Sequence, residues 1–171
     1  MRFTKELLRS ERLTVGRLDS RFTGRDYDAA GEGYEADASY SAIQGPFTAA
    51  LNDYVRGELG FESDLPYEIL TGRVQPWKFG PANNHYLNVA ETLRQAMNQN
   101  PHLEVFVASG YFDLATPYFA TEYTLDHLGL EPELASHVHR NFFESGHMMY
   151  INKPSREQLT REVKKFVAAT D

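Results

Sequence analysis

Apolar side chains recur with different periods along this chain of 171 residues, and the change of period divides it near residue 102. Leu7 and Leu8 stand in a charged amphipathic segment that predicts a helix over residues 4–12. Residues 13–22 read as one short extended piece with a glycine break at Gly16. Residues 23–41 are rich in Gly, Asp, Tyr and Ala without a clear period, which predicts a long surface loop. Ile43, Phe47, Ala50, Leu51, Tyr54 and Leu59 then return at helical spacing, with Gly60 as the stop. Residues 65–70 predict a short strand or extended connector. A loop punctuated by Gly and Pro follows as far as Pro81, and in it Trp77, the single tryptophan, is expected to anchor packing. Tyr86, Val89, Ala90, Leu93 and Met97 predict a helix over residues 84–98, ended by Asn100-Pro101.

Beyond that point short apolar runs alternate with helical ones. Residues 103–108, interrupted only by Glu104, predict a strand buried on both faces of a parallel sheet. Pro117 opens a helix through Phe119, Tyr123, Leu125 and Leu128 to Gly129, and a short helix is expected over residues 132–136. Residues 137–143 predict the next strand. Ser155 is the expected N-cap of a last helix bearing Leu159, Val163, Phe166 and Val167. The order is helix, strand, loop with Asp113, helix, strand, loop with His147, helix. Asp113 and His147 lie 34 positions apart, about one crossover unit, so their loops are expected side by side at one edge of the sheet. The fold class is α/β.

Composition narrows the function classes. An apolar fraction of 42% with 13% aromatics is enough for a real core. A formal net charge of −7 argues against nucleic acid and anionic membrane as partners, since either needs a basic field. The absence of cysteine removes disulfides, thiolate metal sites and a Cys nucleophile. The charged N-terminus has no apolar core of the kind a signal peptide carries, and no stretch is long enough to cross a bilayer.

Candidate chemistry concentrates in the two loops. Loops beyond strand ends carry the chemistry of α/β folds, and a carboxylate with a histidine there reads as the last two members of a Ser-Asp-His triad. The carboxylate holds one tautomer of the imidazole, and the other ring nitrogen takes the nucleophile's proton. No Gly-x-Ser-x-Gly elbow occurs in the chain; Glu144-Ser145-Gly146 is the nearest echo. Taken alone, such a pair is more often an Asp capping a turn and a His satisfied by its neighbours. Other motifs are weaker. His137 and His139 would share one strand face, a metal pair without a third ligand. Gly31-Glu32-Gly33-Tyr34-Glu35-Ala36 matches the dinucleotide fingerprint in letters, with no strand before it and no apolar helix opening from it. Met148-Met149 is expected to pack the His147 loop on the core, and Lys164-Lys165 to be a solvated helix face.

Val105-Phe106-Val107-Ala108-Ser109-Gly110-Tyr111-Phe112-Asp113-Leu114 and Gly146-His147-Met148 resemble the acid and histidine motifs of the serine carboxypeptidase family, α/β-hydrolases that cleave C-terminal residues from peptides. Residues 13–28, the helix after Ser41, and Asn88-Val89-Ala90-Glu91-Thr92-Leu93-Arg94 look like the corresponding stretches of bacterial members. The resemblance implies helical cap or insertion segments with a connector over residues 1–81. It implies the C-terminal α/β-hydrolase segment, the last parallel strands with flanking helices, over residues 82–171. Asp113 would be the triad acid and His147 the general base. The family's order of Ser, Asp, His matches a chain that starts after the Ser, so this chain alone is expected to be inactive. The chain departs from better-known members in having Ala115-Thr116-Pro117 after the Asp, where Asn is usual, and Met149-Tyr150 after Gly-His-Met, where a proline follows. The resemblance implies no metal or organic cofactor, a peptide substrate for the complete enzyme, and an exported location. An acyltransferase on the same fold fits the same residues. This chain's partner in the complete enzyme would be an N-terminal half carrying the Ser, or a second copy of itself. The alternative reading is a non-catalytic fragment or subunit that acts through association with another chain or with itself.

Overall fold

The computed structural model describes residues 2–28, 31–83 and 85–170. The chain divides into two compact units, Met1–Val15 with Phe22–Leu87 and Gly16–Arg21 with Asn88–Asp171. Helices and two small sheets, one antiparallel and one parallel, place it in the α/β class.

The first unit contains α1 (Arg2–Glu6), β1 (Thr14–Val15), β2 (Thr23–Gly24) and α2 (Ala38–Asn52). The helix expected over residues 4–12 is shorter: it leaves helical geometry at Leu8 (φ −124°, ψ 31°), and a separate turn at Arg9–Glu11 ends where Arg12 takes a left-handed conformation (φ 56°). Strands β1 and β2 pair antiparallel, Thr14 opposite Gly24. The acidic loop after β2 is not free. Lys5, with a side chain only 2% exposed, places its ammonium 3.1 Å from Asp26, itself 3% exposed. It also donates to the backbone carbonyls of Asp28 and Gly33. A buried cation with carboxylate and carbonyl partners is satisfied, and breaking such a pair leaves a charge stranded. Lys5→Ala is therefore expected to lower the unfolding free energy of this unit by about 3 kcal/mol in urea titrations. A change under about 0.5 kcal/mol, the scale of an ordinary surface substitution, would show that the pair does not hold the loop.

Helix α2 starts well before its first periodic apolar residue, at a cap the hydrophobic pattern does not register. The Asp37 carboxylate accepts from the backbone N–H groups of Ser39 and Tyr40. The fingerprint-like residues 31–36 thus lead into a helix capped by an aspartate, and the strand that precedes them, β2, is two residues long and ends at Gly24. The helix runs past Pro46, widens into a π-helical stretch over Asp53–Glu58, and stops where expected at Gly60 (φ 63°). Residues 65–70 form no strand. Trp77 is 61% exposed, so the packing anchor expected there is not one. Its neighbourhood in the sequence is a succession of tight turns, Gly72–Val74 and Gly80–Ala82.

The second unit is built on β3 (Val105–Gly110) and β4 (Val138–Phe143), which pair parallel from Val105 opposite Val138 to Gly110 opposite Phe143. The crossover holds α4 (Tyr118–Asp126) and α5 (Pro132–Ala135), with Gly129 (φ 66°) turning the chain between them. Helix α3 (Ala90–Gln99) precedes β3. The helix expected over residues 84–98 begins later: Asn84 lies outside the described residues, Tyr86 and Val89 are exposed, and the Asn88 side chain accepts the Ala90 N–H. In its first turn, Glu91 is held down to about 2 by hydrogen bonds from Arg94 first and Gln95 second.

Helix α6 (Lys153–Thr170) packs on the pair of strands, its Phe166 ring 5.4 Å from that of Phe106. Ser155 sits inside the first turn instead of at the cap; Asn152 takes that role and accepts the Ser155 N–H. Phe143, Met97, Leu128, Met148 and Met149 form the core of this unit, so the methionines pack as expected. The strands, however, are not buried on both faces. Val105, Phe106 and Val107 are half-covered, Ala108, His139 and Arg140 are exposed, and only the last residues of each strand go under. Among the described residues this sheet has two strands, so each keeps an unpaired edge.

Candidate functional site

The parallel pairing brings both strand ends to one edge, and the side chains beyond them meet. The chain turns sharply after β3, with the Asp113 N–H donating to the Gly110 carbonyl. After β4 it turns again through Glu144, Ser145 and Gly146. Two glycines allow these turns to stack. A methyl group on Gly110 would stand 2.5 Å from the Gly146 carbonyl oxygen. One on Gly146 would stand 2.5 Å from Asp19 Cβ and collide with the Leu18 carbonyl. Backbone packs on backbone here, and no larger residue fits either place.

Asp113 and His147 come together at this edge. Asp113 Oδ2 is 2.8 Å from His147 Nδ1. The Asp113 side chain is 5% exposed and that of His147 is 45% exposed, so the acid is inside and the imidazole at the surface. Four donors converge on the carboxylate. Oδ1 accepts from the backbone N–H groups of Ala115 (2.7 Å) and Thr116 (2.9 Å), and Oδ2 from the Thr116 hydroxyl (2.6 Å) and from His147. The carboxylate can only accept, so the proton between the two lies on Nδ1. Thr116 Oγ1 is also 3.2 Å from Nδ1 and shares that proton. Among the described residues no hydrogen bond reaches Nε2 of this half-exposed ring.

Thr116 is the site residue that the sequence motif did not single out, since it stood only as part of a departure from the family pattern. The available signal was local: an Asp followed three positions later by Thr, ahead of a helix-opening proline, is a side-chain turn. Thr116→Val keeps the shape and removes the hydroxyl bond to a charged acceptor. It is expected to lower thermal stability by about 1.5 kcal/mol. An unchanged melting temperature would show that the hydroxyl bond contributes nothing.

The remaining candidates do not join this site. Ser145 is fully buried, and among the described residues its hydroxyl has no hydrogen-bond partner, so it cannot serve as an exposed nucleophile. His139 Nε2 lies 2.7 Å from Glu104 and His137 Nδ1 3.7 Å from the same carboxylate. These belong to the opposite, N-terminal end of the strands, where Glu104, Phe106, His139, Glu162 and Phe166 line a cleft of about 270 Å³. Among the described residues no group of three ligands is placed to hold a metal ion. A shallow hollow of about 350 Å³ opens beside Thr116, walled by Ala115, Pro117, Ala120 and Leu125.

The arrangement can do one piece of chemistry: it holds an imidazole by its Nδ1 proton against a buried carboxylate and turns the other ring nitrogen outward. Compared with models of protein families, with curated proteins and with solved structures, the chain matches none.

Proposed function

We propose that this chain is the acid-and-base portion of a serine carboxypeptidase-like α/β-hydrolase, contributing Asp113 and His147 to a triad whose serine lies elsewhere. The observation that carries the reading is the 2.8 Å bond between Nδ1 of an exposed histidine and a buried aspartate on consecutive strand-end loops. A structural staple between two loops would explain the bond but gives no reason for the imidazole to stand half in solvent with Nε2 unoccupied. In the complete enzyme a serine would attack the carbonyl of the last peptide bond. His147 Nε2 takes the hydroxyl proton and later returns it to the leaving amine, while Asp113 stabilises the imidazolium between those steps.

A non-catalytic role through association is the second reading, and the strands favour it. A parallel sheet is ordinarily covered on both faces, and two half-covered strands with open edges invite another strand. The two readings coincide if the arriving chain carries the serine.

Labelling with a fluorophosphonate separates them. The full chain is tested alone and mixed with a candidate N-terminal half bearing Gly-x-Ser-x-Gly, with His147→Ala as control. Labelling of the serine only in the mixture, lost in the control, is the expected result. No labelling in a mixture shown to be folded and associated would overturn the catalytic reading and leave association.

A further inference from the structure

The segment Gly16–Arg21 belongs to the same unit as the two loops, although almost the whole of the other unit separates them in sequence. Its backbone bonds to both loops. The Leu114 N–H donates to the Arg17 carbonyl (3.0 Å), and the Ser20 N–H to the Phe112 carbonyl (2.9 Å). On the other side, the His147 N–H donates to the Leu18 carbonyl at 2.7 Å. The segment is thus wedged between the turn that carries the acid and the turn that carries the base.

Asp19 and Arg21 complete the wedge. The Asp19 side chain is 4% exposed, and Arg21 grips it with two donors, Nε to Oδ1 at 2.9 Å and Nη2 to Oδ2 at 2.6 Å. The pair then reaches across. Asp19 Oδ2 accepts the Gly146 N–H at 3.1 Å, and Arg21 Nη1 donates to the Glu144 carbonyl at 3.1 Å. Arg21 also lies over the Phe112 ring, 4.5 Å from its centre, so one guanidinium touches both turns. A buried carboxylate held by a two-pronged guanidinium is a rigid device, because the fork fixes direction as well as charge. The Asp19 bond holds the Arg21 proton more tightly than usual, and Glu144 adds to that.

We infer that Asp19 and Arg21 are positioning residues for His147: their ion pair clamps the turn from Glu144 to Gly146 and so sets the imidazole against Asp113. The inference rests on the reading of Asp113 and His147 as acid and base. The residue next to a clamped amide has its backbone direction fixed, and two successive amides lead into the His147 side chain under restraint, that of Gly146 by Asp19 and that of His147 itself by the Leu18 carbonyl. Without the clamp the half-exposed ring would sample other rotamers and lose its single tautomer.

The test is made on the full chain by NMR. Ring nitrogen shifts of neutral His147 report which nitrogen carries the proton, and hydrogen exchange reports the Gly146 amide. The native protein is expected to hold the proton on Nδ1, and Asp113→Asn to lose that bias while leaving the Gly146 amide protected. Arg21→Lys keeps the charge and loses the fork; Asp19→Asn keeps the shape and loses the charge. In both, the bias is expected to disappear and Gly146 exchange to rise about tenfold, with the amide spectrum of β3, β4 and α6 unchanged. Arg21 is partly exposed, so its lysine variant serves if Asp19→Asn does not fold. A native tautomer bias surviving in Arg21→Lys overturns the inference while the acid-base pair stands. A native protein without bias, or a bias that Asp113→Asn does not disturb, overturns the acid-base reading and the inference with it.

Discussion

Replacing Asp113 by Asn is expected, on the proposed acid-base reading, to slow fluorophosphonate labelling of a partner serine in the reconstituted mixture by about 10⁴-fold, with the fold intact. The direction follows from which oxygen does what. Oδ1 accepts two backbone N–H groups, so in the variant the amide oxygen must take that place and the amide NH₂ falls at Oδ2. There it faces the Thr116 hydroxyl and His147 Nδ1, both of which have been donors. Nδ1 is forced to accept, the ring proton moves to Nε2, and the nitrogen that should receive the serine proton can no longer do so. Side-chain volume and backbone contacts hardly change, so the melting temperature is a control for folding. A labelling rate within tenfold of the native value would mean that Asp113 does not set the tautomer that matters.

Gly146→Ala should be the most damaging small substitution for stability, costing about 4 kcal/mol of unfolding free energy in the Gly16–Arg21 and Asn88–Asp171 unit. The added methyl meets the Asp19 Cα at 2.7 Å and its Cβ at 2.5 Å, and also the Leu18 carbonyl. None of those atoms is the far end of a flexible side chain. Backbone must move on one side or the other. If the 16–21 segment moves, the Gly146 and His147 amides lose their acceptors together, and the bond between Nδ1 and Asp113 loses its support. Chemical denaturation measures the first effect, and ring nitrogen shifts of His147 the second. A variant as stable as the native chain, with the tautomer preserved, would show that the backbones are not packed this closely.

The helical and extended runs from residue 103 onward were legible because their signals are local. An apolar run, a proline at a helix start and a glycine after its end each act within a few residues, and β3, α4, α5 and β4 follow within a few residues. The loop residues Asp113 and His147 were legible for the same reason, since strand, crossover and strand in succession bring two consecutive loops to one edge. The first half was read less well. The start of α2 is set by a capping aspartate, not by periodicity, and the single tryptophan stands out in solvent among short turns. The loop after β2 carries no periodic signal, yet it is fastened by a lysine more than twenty positions earlier.

By itself, then, the order of residues determined the element types of the second half and the two loops where chemistry could reside, because hydrophobic periodicity and turn residues are properties of neighbours. Only the tertiary structure decided that the two side chains meet at 2.8 Å, that Thr116 completes the carboxylate's partners, and that Asp19 and Arg21 brace the histidine turn. Those contacts join residues up to 127 positions apart, and which backbone carbonyl lies opposite which amide depends on how turns stack in space. Strand burial belongs on the same side of the division: an apolar strand pattern states what a segment can bury, and the elements that come to lie against it state what is buried.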